Sequence, residues 1–306
     1  MRNRRLNLKG LVAAAYAPLH SDGSVNPDAV EKMASHLSGW DCAGAFVNGT
    51  TGESLSLTVE ERKILAARWC DAARGSDLKV IVHVGHNSIS AASELAGHAS
   101  VSGADAIGMM PPCYLKPATI QDLIDCCRKV AEQAPDLPFY YYHIPDLTGV
   151  NLPMMEFLER ASTDIPNMAG IKYTHSDLAE YLQCLNYRNN SFDLFFGRDE
   201  ALLAALALGA RNAVGSTYNF AAPVYNRIIS YFKKGDFASA REEQLFITEM
   251  VDLLKRYGFL PASKAVMSMI GLDLGPVRLP LSELSDLQKN TLKQELDTLG
   301  FFDRIS

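Results

Sequence analysis

Short unbroken apolar runs recur along this chain and alternate with longer amphipathic segments. The runs are Leu11–Ala17, Gly44–Asn48, Lys79–His83, Ala106–Met109, Phe139–His143, Met168–Lys172, Asp193–Phe196 and Asn212–Gly215. They are continuous, not alternating, which is the pattern of parallel strands buried on both faces. Between them the spacing predicts helices over Pro27–Gly39, Thr58–Ala73, Ser88–Ser102, Thr119–Gln133, Pro153–Ala161, Asp177–Leu185, Glu200–Leu208 and Ala222–Phe232. Asn26 is read as the cap of the first of these, with proline at its first helical position. Thr58-Val59-Glu60-Glu61 has the spacing of a capping box. Strand starts recur about every 20 to 35 residues, the length of one strand, one helix and two turns.

Eight such units in succession predict a closed (β/α)8 barrel, an α/β fold of the TIM type, over residues 1–232. An open doubly wound sheet is the competing architecture. It usually carries a Gly-rich phosphate loop after its first strand, whereas Ala17-Pro18-Leu19-His20 follows here, and no G-x-G-x-x-G or Walker loop occurs. Beyond Phe232 the pattern is helical only, over Asp236–Tyr257, Ala262–Met269 and Leu281–Leu299. A C-terminal three-helix appendage, residues 233–306, is therefore expected.

Composition narrows the function. Of 306 residues, 48% are apolar and 21% charged, ample for one large core and against wholesale disorder. Net charge is −6 with no basic block, so no nucleic-acid partner is expected. The six cysteines form no Cys-x-x-Cys pair, and reduced core thiols in a cytoplasmic protein are expected. The start Met1-Arg2-Asn3-Arg4-Arg5, followed by apolar Gly10 to Leu19, mimics a signal peptide. The stretch is short and alanine-rich and Lys9 precedes it closely, so a buried first strand is expected instead. No run approaches the roughly 20 residues of a membrane span.

In such a barrel the active site lies at the C-terminal ends of the strands. Lys172 ends the sixth run. An amine desolvated there loses basicity and can attack a ketone to form a Schiff base, though a lysine at a strand end can also simply reach out to solvent. Tyr142 ends the fifth run, beside Lys172 in a barrel. Its phenol can shuttle protons, or it can be one more strand aromatic next to Tyr140 and Tyr141. Alternation puts Tyr140 and Tyr142 on one face and Tyr141 on the other. Gly49-Thr50-Thr51-Gly52 offers two hydroxyls and flexible amides, a nest for a carboxylate or an ordinary turn. Asp199-Glu200 can hold sugar hydroxyls, or can complement the start of the next helix. His83 and His86 lack a third ligand, so structural roles and no metal are expected. His143 is expected nearer the site and more open. The G-x-S-x-G elbow of a serine hydrolase is absent.

These strand-end motifs, in this order, resemble the family of pyruvate-dependent class I aldolases that includes dihydrodipicolinate synthase and N-acetylneuraminate lyase. The resemblance spans nearly the whole chain. It rests on Gly49-Thr50-Thr51-Gly52-Glu53, on Tyr142-His143-Ile144-Pro145 with Thr148-Gly149, and on Gly170-Ile171-Lys172. It implies that Lys172 is the Schiff-base residue and Tyr142 the proton relay, with the keto-acid carboxylate on Thr50 and Thr51. It also implies a homotetramer and a reaction without metal or organic cofactor.

Within the family, the synthase branch carries an arginine where this chain has Leu147. The sialate lyase branch has a Gly-x-Asp-Glu and a Gly-Ser-Thr-Tyr-Asn, matched here by Gly197-Arg198-Asp199-Glu200 and Gly215-Ser216-Thr217-Tyr218-Asn219. The resemblance thus implies reversible aldol cleavage of a sialic acid, N-acetylneuraminate, to N-acetylmannosamine and pyruvate. Thr174, Gly197, Asp199, Glu200 and Ser216 would hold the polyol. Another aldolase of 2-keto-3-deoxy sugar acids, the synthase reaction and a non-catalytic sugar-acid-binding homologue remain as alternatives. His143 stands where many relatives have asparagine, and Arg198 is a bulky cation beside the sugar site.

Overall fold

The apolar runs pair side by side and close on themselves. The computed structural model describes residues 5–306, so Met1 to Arg4 of the basic start lie outside the described residues. In chain order the barrel elements are β1 (Gly10–Ala14), α1 (Ala29–Gly39), β2 (Gly44–Val47), α2 (Val59–Ala73), β3 (Lys79–His83), α3 (Ile89–Ser102), β4 (Ala106–Met109), α4 (Ile120–Ala131), β5 (Phe139–His143), α5 (Pro145–Thr148), α6 (Met154–Asp164), β6 (Met168–Tyr173), α7 (Leu178–Asn186), β7 (Asp193–Phe196), α8 (Leu202–Ala207), β8 (Asn212–Gly215) and α9 (Tyr218–Lys234). All neighbouring strands are parallel, in the order β1 to β8, with β8 closing on β1 through Gly10↔Asn212 and Val12↔Val214.

Period-two alternation sorts the strand residues into two cores. Val12, Phe46, Ile81, Tyr140, Tyr142, Phe195 and Val214 fill the barrel interior. Leu11, Val47, Val80, Tyr141, Ile171 and Phe196 join the layer between sheet and helices. The floor is polar: Tyr140 donates to Asp193 at 2.8 Å and accepts from the Leu6 backbone N–H at 3.1 Å.

Three differences from the sequence reading have local causes. The strand expected to reach Ala17 stops at Ala14, because after one last bond from the Ala15 N–H to the Phe46 carbonyl (3.0 Å) Tyr16 and Ala17 stay buried but run on out of the sheet. The first helix starts at Ala29, and neither Asn26 nor the N-cap Asp28 supplies a side-chain cap. The last barrel helix starts early, at Tyr218, with a kink at Ala221 (φ −137°) ahead of Pro223. The Thr58–Glu61 capping box forms as expected, with bonds of 3.2 and 2.8 Å.

The C-terminal helices are α10 (Phe237–Arg256), α11 (Phe259–Met269), α12 (Asp286–Thr298) and a short α13 (Phe301–Ile305). The expected Leu281–Leu299 helix is trimmed to α12, which starts at a capping box of Ser285 with Gln288. All six cysteines are unpaired, four of them buried. Among the described residues, no helix is long and apolar enough to cross a membrane.

Candidate active site

At the C-terminal mouth of the barrel lies a cavity of about 240 Å³. Thr50, Thr51, Tyr142, Lys172, Thr174, Gly197, Asp199, Glu200 and Ser216, all singled out in the sequence, line it together. A larger cleft of about 580 Å³ lies between the β1–α1 segment and the C-terminal helices. Its one buried cation, Lys264, is already committed to Glu53 at 3.0 Å.

Lys172 and Tyr142 are register partners across β5 and β6. The Lys172 amine sits 3.8 Å from the centroid of the Tyr142 ring and 4.2 Å from that of Phe46. The residue is 4% exposed. Burial pushes the ammonium below the usual lysine range, and Tyr142 and Asp199 oppose that shift. An amine in these surroundings is deprotonated more readily than a surface lysine, which is what nucleophilic attack on a carbonyl requires.

The Thr50-Thr51 turn follows β2. Thr50 Oγ1 lies 3.4 Å from the Tyr142 hydroxyl, and Thr51 Oγ1 lies 2.6 Å from Ser216 Oγ, so the turn touches both the aromatic wall and the end of β8. Glu53 ends the turn in the left-handed region (φ 55°). Its carboxylate accepts from Lys264 Nζ and from the Arg278 backbone N–H at 2.7 Å. Two groups from beyond the barrel thus fix the backbone that presents the threonines.

The other side of the cavity is lined by acceptors. Asp199 Oδ2 accepts from the Thr217 N–H (3.0 Å) and hydroxyl (2.6 Å). Its side chain lies over Gly215, where a Cβ would meet Oδ1 at 1.9 Å. Burial pushes the Asp199 carboxyl up to about 6, against the hydrogen bonds from Thr217. The Thr174 hydroxyl is buried without a partner, and a Cβ on Gly197 would approach it to 2.0 Å. Arg198 does not line the cavity. It bridges Asp146 (3.3 Å) and Glu200 (3.1 Å), joining the segments after β5 and β7.

His143 requires correction. It is fully buried on the outer face of β5, among Tyr141, Tyr173 and His175, and is not open toward the cavity. Burial, then His175, pushes its imidazolium down to about 3. His83 is buried beneath the site. Its Nδ1 lies 3.0 Å from the Asn48 carbonyl oxygen, and its ring meets that of Tyr142 edge-on at 5.9 Å. His86 does not line the cavity.

Sequence reasoning missed Phe46, Val251, Lys255 and Phe259. Phe46 had a usable signal, since its place in β2 faces inward by alternation. The other three come from α10 and α11, and Lys255 lies 3.7 Å from Glu200. Their arrival depends on tertiary docking, which no local pattern encodes.

Fold and site together define a (β/α)8 barrel protein with a desolvated lysine amine in its mouth, facing hydroxyl and carboxylate groups. The chain belongs to the dihydrodipicolinate synthetase family, whose family model matches residues 7–299. It is 40% identical to the N-acetylneuraminate lyase of Gallus gallus, over 98% of this chain and 98% of that protein. Among solved structures it is similar to the Proteus mirabilis N-acetylneuraminate lyase, with TM-score 0.93 and 39% identity over 96% of this chain and 99% of that one. The Aliivibrio salmonicida sialic acid aldolase superposes with TM-score 0.93 and 41% identity, over 96% of this chain and 97% of that one.

Proposed function

We propose that this protein is an N-acetylneuraminate lyase, which reversibly cleaves the sialic acid to N-acetylmannosamine and pyruvate through an imine on Lys172. The observation that carries the reading is the buried amine of Lys172 on the face of Tyr142, with Thr50 and Thr51 across the same cavity.

The open-chain keto acid sets its carboxylate on the Thr50-Thr51 turn. Neutral Lys172 attacks C2, water leaves, and a protonated imine forms. That cation accepts the electron pair of the C3–C4 bond as it breaks, which gives an enamine and the aldehyde of N-acetylmannosamine. Tyr142 relays the proton from the C4 hydroxyl. C3 of the enamine is then protonated, and hydrolysis of the imine releases pyruvate and restores the amine. The reaction calls on no metal or organic cofactor, because the imine itself is the electron sink. Thr174, Gly197, Asp199, Glu200 and Ser216 hold the polyol. Buried hydroxyls need paired donors and acceptors, and that wall supplies them.

Leu147 argues against the synthase reaction. It is 64% exposed and brings no charge for a second substrate carboxylate. Residues 1–232 serve as the catalytic barrel and residues 233–306 as a helical extension that completes one wall. The family resemblance supports a homotetramer, and the unpaired cysteines support a cytoplasmic location. A panel of 2-keto-3-deoxy sugar acids with coupled pyruvate detection tests the reading. N-acetylneuraminate should be turned over fastest, and a faster sibling acid would reassign the substrate.

A further inference from the structure

Behind the Tyr142–Lys172 pair, on the helix side of the sheet, His143 meets His175 and Glu180. His143 is 0% exposed, and neither of its ring nitrogens has a hydrogen-bond partner. Burying an imidazole with both nitrogens unmade is unfavourable, so the site is built around something that fills them. The His175 ring stands at 89° to it, with centroids 5.4 Å apart. Glu180, in the first turn of α7, reaches back to the same point. One donor atom from each of the three lies within 4.8 Å of the others, the one such group of three among the described residues.

We propose that His143, His175 and Glu180 bind a divalent transition-metal ion of the zinc type. Two imidazoles and a carboxylate are a set that zinc accepts, with solvent as the fourth ligand, whereas magnesium and calcium prefer oxygen alone. The carboxylate is already oriented: Glu180 Oε1 accepts from the Met154 N–H at 2.7 Å, and Oε2 lies 2.9 Å from the Tyr173 hydroxyl. Such outer bonds aim a ligating group. Zinc–ligand distances of about 2.0–2.1 Å would draw the donors closer, by about an ångström. His175 supplies that movement, because it lies between β6 and α7 and outside the sheet ladder. His175 and Glu180 are half-buried, which leaves the ion a way in. The site lies outside the catalytic cavity, so it is separate from the lyase reading and its test reads binding instead of turnover.

The chelator-treated full-length protein is titrated with zinc by calorimetry, and with cobalt(II) by visible absorption. One ion per chain at micromolar or tighter affinity is expected, with cobalt bands free of thiolate charge transfer. His175→Ala and Glu180→Gln, at half-buried positions, should each weaken binding at least about 100-fold while circular dichroism is unchanged. A Cys113→Ser/Cys126→Ser variant removes the half-buried thiols and should bind as the parent does. The proposal is overturned if the parent takes up no zinc, if both site variants bind like it, or if the cysteine variant loses the ion. A parent that binds no metal would mean that a buried water bridges the histidines instead.

Discussion

The Lys172 amine rests on the face of the Tyr142 ring, 3.8 Å from its centroid, while the phenol oxygen of Tyr142 lies 3.4 Å from Thr50 Oγ1. One tyrosine therefore touches both the amine that would form the imine and the turn that would hold the carboxylate. Its strand pairing with Lys172 fixes that geometry. Lys172→Ala should leave a folded protein that no longer gains mass from pyruvate and borohydride. Trapping at any other lysine, or undiminished turnover, removes Lys172 from the mechanism. Because burial lowers the pKa of Lys172, trapping by the parent should also persist at pH values where surface lysines are protonated and silent.

Tyr142→Phe keeps the ring beneath the amine and deletes only the hydroxyl. Imine trapping should survive, and kcat should fall by roughly 100-fold or more, the range of a lost proton relay. Equal losses in trapping and in kcat would mean that the phenol serves binding instead.

Arg198 ties Glu200 to Asp146 across the mouth. With Arg198→Ala, Glu200 loses its bracing at little cost in stability, since such partly exposed pairs contribute about 0–1 kcal/mol. KM for the sugar acid should rise by about tenfold, with pyruvate trapping unchanged. Unaltered KM would show that Glu200 is held well enough by Lys255 alone.

Lys264 and Glu53 form an ion pair with both side chains almost wholly buried, 4% and 2% exposed. Lys264→Ala leaves the carboxylate unpaired in a dry site. It should cost about 3–5 kcal/mol and lower the thermal midpoint by about 10 °C. Pairing Lys264→Met with Glu53→Gln should recover much of that loss, because the uncompensated charge is gone. No recovery would locate the damage in packing.

The barrel was legible because two-sided burial leaves a simple trace, the unbroken apolar run. The same trace overran β1, since past a last bond from the Ala15 N–H to the Phe46 carbonyl (3.0 Å) Tyr16 and Ala17 are buried without a strand partner, and burial alone does not report a ladder. The strand-end motifs pointed to the cavity because a parallel barrel puts every C-terminal strand end at one mouth. Lys255 and Phe259 were invisible because α10 and α11 reach the mouth only by docking on the barrel. His143 was misread as open because alternation, which correctly turned Tyr141 outward, turns His143 the same way. Its meeting with His175 and Glu180 joins separate elements and leaves no spacing in the sequence to read.

Asp199 offers a test of how dry the sugar wall is. Its carboxyl lies at about 6, above the ordinary 3.8, mainly through burial. For a carboxyl raised on folding, the folded chain binds the extra proton between those two values. The stabilising contribution is therefore complete below pH 4 and is lost as pH rises through 6. The difference of about two pKa units corresponds to about 3 kcal/mol. Asp199→Asn can still accept from the Thr217 N–H and hydroxyl but carries no titrating group. Urea unfolding at pH 4 and pH 7.5 should show the parent losing stability relative to the variant by about that amount. A carboxyl that is partly protonated near neutrality can donate to a substrate hydroxyl as well as accept from one, so KM for the sugar acid should change with pH near 6 in the parent alone. Parallel stability curves for the two proteins would mean that Asp199 ionises as it does in water, and that water reaches the wall on which the polyol is placed.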